Sequence, residues 1–294
     1  MPKQNETWSA GDEMTSAKLN NTGFVSFGGD GSDGALAISS GTTTIDLSSS
    51  AIVVLNYTSI SITGTADLAF SNPHANGTII IIKSQGAVTI TSSTNPAIDL
   101  RSLGGTAGAV RTAGTNGNGL MNGPEGGGAG TTDGRIGSDG IRIVTPTVCT
   151  KFIPLFCGGG GAGGYYSAGS EGAGGRGAGA LFLECNGALS ISSTINASGI
   201  VGVDGTVVGG NNDGCSGGGG ASLNDTASDT YRGAGVTSTG GGGGGGGVIV
   251  IIYNTLTSNT GTYSVAGGAG GNGGIIGGAG SVGYSLVAIN TEFI

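Results

Sequence analysis

Short runs of aliphatic and β-branched residues, separated by Gly, Ser, Asn and Thr, form the main pattern between residues 35 and 103. Several runs alternate apolar with small polar residues, as in SISITG at 59–64 and ADLAF at 66–70. A period of two residues places one face of a strand in the core and the other in water. The pattern therefore predicts consecutive short β-strands in a coiled or stacked sheet.

A weak internal repeat appears when the strongest apolar runs are aligned on the glycine that precedes them. The three copies run from Gly77 to Ile90, from Gly179 to Ile191 and from Gly247 to Thr257. Each contains a strong strand, a small-residue turn and a second strand, and each leads into glycine. This recurrence predicts stacked layers of similar structure, as in solenoid proteins.

Long glycine-rich stretches lie between the copies, at about 104–140, 158–179 and 199–247. In the tract 267–280 glycine recurs at every third residue, which is the period of a polyproline-II-type helix. Without side chains, such segments can pack closely and exchange backbone hydrogen bonds. We therefore expect the glycine to be ordered.

Together these patterns predict an all-β protein with an elongated, β-helix-like or β-solenoid-like body and ordered polyglycine-II-type segments. The expected divisions are an N-terminal attachment segment at 1–27, a strand-rich domain at 28–103 and a glycine-rich β-repeat domain at 104–294.

Composition and charge exclude several classes of partner. Glycine supplies 68 of 294 residues, a share about three times the usual ~7%. The net charge is −8 and the Lys and Arg residues are scattered singly, so we expect no nucleic-acid binding. No apolar run is long enough to cross a bilayer as a helix, and the N-terminus lacks the apolar core of a secretion signal.

Residues that could carry catalysis are sparse. The only histidine, His74, lies in the turn-like stretch SNPHANG, and no GxSxG motif accompanies it. A glycosidase needs only two carboxylates, but the candidates lie mostly in glycine tracts, where backbone flexibility would hold catalytic geometry poorly. We therefore expect no enzymatic activity and no cofactor. These candidate carboxylates are Asp99, Glu125, Asp133, Asp139, Glu171 and Asp204.

Two further patterns concern metal ions. The stretch GGDGSDGAL resembles a calcium-binding nonapeptide and contains Asp30 and Asp33, but it occurs once, which favours an acidic turn. The four cysteines have no zinc-site spacing and are expected to be free, buried thiols. We therefore predict no metal site.

Aromatic residues within the glycine tracts are the best candidates for binding. On exposed loops, around 158–178 and 206–240, they could stack on sugars or on a protein partner. The alternative is that they cap strand ends or cover glycine backbone. The candidates are Tyr165, Tyr166, Tyr231 and Arg232.

The N-terminal segment contains the only tryptophan and, at 12–20, the only stretch with helical character. Its sequence TWSAGDEMTSAKLNN resembles the W-x-x-G-D-x-x-T-A-x-x-L-N stretch near the start of many phage tail-fibre and tail-spike proteins. Ser16 before Ala17 is a small departure from that stretch. The remainder is similar to glycine-rich modules of phage fibres and to fibre-tip adhesins that hold polyglycine-II helices beneath receptor-binding loops. The matching positions are Trp8, Gly11, Asp12, Thr15, Leu19 and Asn20.

The resemblance implies a virion tail appendage: a trimeric, elongated β body bound through its N-terminus to other tail proteins. Its loops would contact a glycan or an outer-membrane protein on the host surface. No sugar-cleaving residues carry over. Two alternatives stay open: a self-assembling subunit of an extracellular filament or surface layer, whose strand edges pair between copies, and a β-helical polysaccharide depolymerase.

Overall fold

The protein folds into β-strands and extended glycine-rich segments. The structure is a computed structural model that describes residues 27–119, 126, 155–166, 171–205, 212–215, 232–236, 239–273 and 275–290. These ranges contain no α-helix, and hence no helix that could span a membrane. The strands are β1 (Ala35–Asp46), β2 (Ile52–Tyr57), β3 (Ser59–Ser71), β4 (Ile79–Ser84), β5 (Val88–Ile90), β6 (Ile98–Asp99), β7 (Tyr165–Tyr166), β8 (Ala180–Ile191), β9 (Thr194–Asn196), β10 (Asn212–Cys215), β11 (Arg232–Val236), β12 (Val248–Asn259), β13 (Thr262–Ser264) and β14 (Tyr284–Ile289).

An 11-stranded sheet in which every strand pair is parallel forms one side of the molecule. Its strands stack in three ladders. Ladder A joins β2, β4, the first half of β8, the first half of β12, and β14. Ladder B joins the starts of β1 and β3 to β5 and to the second halves of β8 and β12. Ladder C joins the ends of β1 and β3 to β6, β9 and β13.

The predicted repeat is confirmed by the register of these ladders. Ile79 pairs with Ala180, and Ala180 pairs with Val248, so the three copies lie side by side. The all-β class is also confirmed. In the described part of the chain the sheet does not close on itself, so the β-solenoid body stays a prediction. Strands from both sides of residue 103 share the sheet.

The apolar core follows from the parallel register, because residues of like chemistry stack at the same position of successive layers. In ladder B the buried stack is Ile60, Val88 and Leu189, and in ladder C it includes Leu68 and Ile98. Each fully buried aliphatic side chain contributes about 1.5–3 kcal/mol relative to an exposed one. A second, smaller cluster covers the outer face of ladder A with Leu155, Phe156 and Cys157.

The other side of the molecule is a layer of extended segments, which we call the glycine layer: residues 104–119, 157–164, 172–179, 197–205, 239–247, 265–273 and 275–283. Their amides bond between segments. In the segment 240–247, the N–H groups of Gly240, Gly243 and Gly246 donate to residues 275, 278 and 281 in turn. Those of Gly241 and Gly244 donate to 203 and 200, and that of Gly242 to 162. Every third amide thus faces the same neighbour, the period of a polyproline-II helix.

The path of the chain alternates between ladders and glycine layer. After ladder C the chain leaves along 197–205 or 265–273, and it returns antiparallel along 239–247 or 275–283 into the next strand of ladder A. The return is in register with the strands, because Gly247 N donates to Ala197 O and Tyr284 N donates to Gly247 O. Each outgoing glycine segment therefore begins at the sheet, and each returning segment ends there.

In a helix with three residues per turn, the three residues of each turn face three different sides. A side that packs against backbone requires glycine, so the number of glycines per three residues shows how many sides of a segment are packed. Residues 240–247 are all glycine and all buried. In 265–273 the exposed residues are Ala266, Ala269 and Asn272, three positions apart. In 197–205 glycine occurs once per triplet, and Val201 and Val203 are each 54% exposed. Segment 240–247 is therefore central, and 197–205 lies at the surface.

The turn that precedes β1 is fastened across ladder A by an ion pair. Lys83 Nζ lies 3.0 Å from Glu184 Oε2, with both side chains only 13% exposed. The same oxygen accepts the backbone N–H of Gly28 at 3.0 Å. Gly28 has a φ of +86°, and a Cβ there would lie 2.6 Å from the Ser84 carbonyl oxygen, so the turn can approach the ladder only with glycine.

Replacing Gly243 by Ala should destabilise the protein strongly. The added Cβ would lie 2.7 Å from the carbonyl oxygen of Ala269 and closer still to that of Gly268, both in a layer with little room to shift. We expect a loss of about 3 kcal/mol or more in the free energy of unfolding, measured by urea denaturation. The matched control Ala269→Ser, at an exposed position, should stay within about 0.5 kcal/mol of wild type. Equal effects of the two variants would contradict the packing.

Replacing Lys83 by Met should cost about 1–3 kcal/mol, because the half-buried Glu184 carboxylate loses its cation and keeps only the Gly28 amide. The control is Arg101→Met. Arg101 pairs with Asp99 at 2.7 Å, but its side chain is 43% exposed, so its loss should cost at most about 1 kcal/mol. Urea midpoints of both variants measure the difference, and a smaller effect at Lys83 than at Arg101 would refute this role.

Candidate binding surface at the far end of the glycine layer

The far end of the glycine layer, away from the sheet, is held together by a row of backbone hydrogen bonds. Arg111 N donates to Gly164 O, and Gly164 N donates to Gly172 O. Gly172 N donates to Thr239 O, and Gly240 N donates to Ile275 O. Five segments that are distant in sequence therefore meet at one edge.

One ion pair reinforces this edge. Arg111 Nη2 lies 2.6 Å from Glu171 Oε1, and Arg111 Nε donates to the same oxygen at 2.7 Å. The Glu171 side chain is 3% exposed, whereas that of Arg111 is 44% exposed. A carboxylate so buried needs a charge-assisted partner. The pair therefore fixes the point at which the chain re-enters the layer after Tyr166.

A small antiparallel sheet forms in the excursions that leave from this edge. Its order is β11–β10–β7. Cys215 of β10 pairs with Tyr165 on one side and with Arg232 on the other, and Gly214 pairs with Tyr166. The sheet therefore brings together residues that are more than sixty positions apart in the sequence.

Three of the four residues predicted to bind are thus neighbours: Tyr165, Tyr166 and Arg232. Tyr231 lies outside the described residues. The predicted loop at 158–178 needs correction, because 158–164 and 172–178 are packed segments of the glycine layer. The excursion that carries Tyr165 and Tyr166 begins only after Gly164. Residues 1–26 of the attachment segment also lie outside the described residues, and with them Trp8, Gly11, Asp12, Thr15, Leu19 and Asn20.

The carboxylates considered for catalysis have structural contacts where the structure describes them. Asp99 pairs with Arg101, and Glu171 pairs with Arg111. Asp204 Oδ1 accepts a hydrogen bond from the backbone N–H of Asn272 at 2.6 Å. Glu125, Asp133 and Asp139 lie outside the described ranges. Sequence reasoning weighed Glu171 only as a catalytic carboxylate and missed its pairing with Arg111. No local signal could have paired them, because they lie sixty positions apart in the sequence.

The other predicted polar groups also occupy turns. His74 Nδ1 accepts a hydrogen bond from the backbone N–H of Asn76 at 3.2 Å. Asp30 Oδ1 accepts the Ser32 amide at 3.0 Å, and Asp33 Oδ2 accepts that of Asn56 at 2.6 Å, as expected of an acidic turn. Hydrogen bonding to Ser32 lowers the pKa of Asp30. Within the described part of the chain, no group of three or more His, Cys, Asp or Glu could hold a metal ion.

Two of the cysteines are free and buried, as predicted: Cys157 and Cys185. Burial raises the pKa of the Cys157 thiol from its ordinary value of 9.0 to about 12 and raises that of Cys185 as well. Because the thiolate is the nucleophile, both groups are poor nucleophiles at neutral pH. Cys149 lies outside the described residues, and Cys215 belongs to the small sheet.

We expect Cys157 and Cys185 to resist alkylation in the native protein and to react fully in urea. The measurement is mass spectrometry of the two peptides after iodoacetamide treatment at pH 8. The raised pKa also makes the native state bind protons more tightly than the unfolded state, so this contribution to stability is full below pH 9 and falls as the pH rises towards 12. Fast alkylation of either native thiol would contradict its burial.

Comparison with known proteins gave no relatives: no protein-family model, curated protein or solved structure matches this chain.

Proposed function

We propose that the chain is a virion tail-appendage protein that attaches to the surface of a host cell, with no catalytic activity of its own. Its body would be β-solenoid-like, formed by ladders A, B and C, and flanked by a polyglycine-II-type bundle formed by the glycine layer. The N-terminal segment 1–27 would bind other tail proteins. The excursions at the far end would bind the host.

The observation that carries this proposal is the small sheet at the far end, where Tyr165 and Arg232 both pair with Cys215. Tyrosine and arginine are, with tryptophan, the residue types enriched at binding hot spots. Strand pairing within the small sheet fixes the backbone of these residues, which lowers the conformational entropy to be lost on binding. Aromatic and guanidinium groups suit the rings and hydroxyls of a surface glycan and the polar loops of an outer-membrane protein.

The anchoring of the two excursions, one with β7 and the other with β10 and β11, supports the same proposal. Both leave from and return to an edge fixed by the Arg111–Glu171 pair and by the bonds of Gly172 and Thr239. Loops that leave from a bonded scaffold are typical of binding proteins.

The test is binding of the labelled protein to a panel of Gram-negative cells and to their isolated lipopolysaccharide, capsule and outer-membrane vesicles. We expect binding to at least one component, and a loss of affinity of about tenfold or more in Tyr165→Ala and Arg232→Ala. The matched control is Arg101→Ala, because Arg101 lies next to ladder C and pairs with Asp99.

If the protein binds none of these cells or isolated components, the attachment proposal is refuted. Binding that survives both variants would leave attachment standing but would move the contact away from the small sheet. Release of reducing ends from any capsule would replace the proposal by the depolymerase alternative.

A further inference from the structure

The three ladders are open at both ends in the described part of the chain. At the first end, β1 pairs only with β3, and β2 pairs only with β4. At the last end, β14 pairs only with β12, and β13 only with β9. Within the described residues, each end therefore presents strand edges that no further strand pairs with, although the turn residue Asp33 bonds to Asn56 of β2.

The direction of the backbone groups on these edges follows from the bonds already made. Tyr284 N donates to Gly247 O, on the β12 side. In a parallel strand alternate residues face the same neighbour, so the Ser285 amide points to the open side. Ala51 O, just before β2, and Tyr57 O, at its end, accept hydrogen bonds from the β4 side. The backbone N–H and C=O groups of the alternate residues Ile52 and Val54 therefore face the open side. The backbone groups of Asn56 also face the open side, where its N–H donates to Asp33 Oδ2 and its carbonyl accepts the backbone N–H of Asp33.

The edge strands lack two features with which proteins usually block edge pairing, cationic side chains and proline, and they keep a third, because β1 and β12 contain register shifts against β3 and β8. No Lys, Arg or Pro occurs in β1, β2, β12, β13 or β14. Apolar side chains are exposed at both ends: Ile52 is 44% and Val54 48% exposed at the first, and Leu256 is 45% exposed at the last. Strand edges that lack cations and proline and that expose apolar side chains favour addition of another strand.

We infer that the occupant of each end is a second copy of this chain, stacked head to tail so that ladders A, B and C continue across the junction. A second copy supplies at each end what the other end lacks: parallel strands in the same three-ladder arrangement. The contact is one that the chain already makes internally, between the layers of β8 and β12. It is independent of the attachment function.

The internal register predicts which residues meet. Ladder A runs through Val54, Ile81, Phe182, Val250 and Leu286, so Leu286 of one copy meets Val54 of the next. In ladder B, Leu256 of the first copy meets Leu36 of the second. Apolar residues therefore meet apolar residues in both ladders. Because the two surfaces differ, the contact is heterologous and forms open chains of copies.

The experiment blocks one end at a time. Ser285→Pro removes an outward amide of β14, and Val54→Pro does the same on β2; proline is tolerated where the strand amide faces away from the sheet. The wild-type protein should form end-to-end chains that lengthen with concentration, seen by sedimentation velocity and negative-stain microscopy. Each proline variant alone should be unable to extend. An equimolar mixture should form pairs and nothing longer, because one intact junction remains possible.

The controls are Ser285→Thr and Val54→Thr, which keep the amides and should assemble like wild type. Urea denaturation shows whether each proline variant is folded, and the formation of pairs in the mixture shows the same directly. The contact would be overturned if the size of the wild-type protein did not depend on concentration, or if neither proline variant changed that size. A discrete trimer that forms at every concentration and in both proline variants would be such a result. Cell binding by the proline variants is a separate measurement, so failure here leaves attachment untouched.

Discussion

The close approach of backbone to backbone around residues 240–247 is the constraint on which the rest of the structure depends. Amides of this segment donate in rotation to three neighbours, and its carbonyls accept from two further segments, 172–179 and 265–273. A Cβ at Gly241 or Gly244 would lie within the backbone of 172–179. Ordering glycine costs more entropy than ordering any other residue. Here that cost is offset by hydrogen bonds shared among segments and by the apolar core beside them.

The ladders supply what the glycine layer lacks, a large apolar core and a fixed register. Because each glycine segment enters from ladder C or leads into ladder A, the spacing of the strands sets the spacing of the segments. Gly179 N donates to Leu100 O, and Gly247 N donates to Ala197 O, at the junctions between the two parts. The layer is therefore ordered by its attachment to the sheet, and this explains how a chain so rich in glycine can be folded.

Local signals in the sequence were enough to predict the strands, the three-copy repeat and the three-residue period, because each depends on spacing within a short window. The central place of 240–247 could also have been read, since an eight-glycine run leaves no triplet position for a side chain. The small sheet could not. β10 (NDGC) and β11 (RGAGV) have little β-propensity, and their pairing depends on excursions that leave from a common edge. The Arg111–Glu171 pair joins residues sixty positions apart, beyond any local pattern.

The two proposed contacts use different directions of the molecule. Ladders stack from layer to layer, whereas the glycine segments run within the layers and carry their excursions to the side. Head-to-tail stacking would use the edges of β1, β2, β12, β13 and β14, none of which belongs to the small sheet. A chain of copies would present one such sheet per copy along its length, and several weak contacts to a surface dense in one receptor would act together. Linked sites can exceed the affinity of one site by about 10²–10⁴ without any new contact. Weak binding by a single copy is thus compatible with firm attachment by a chain.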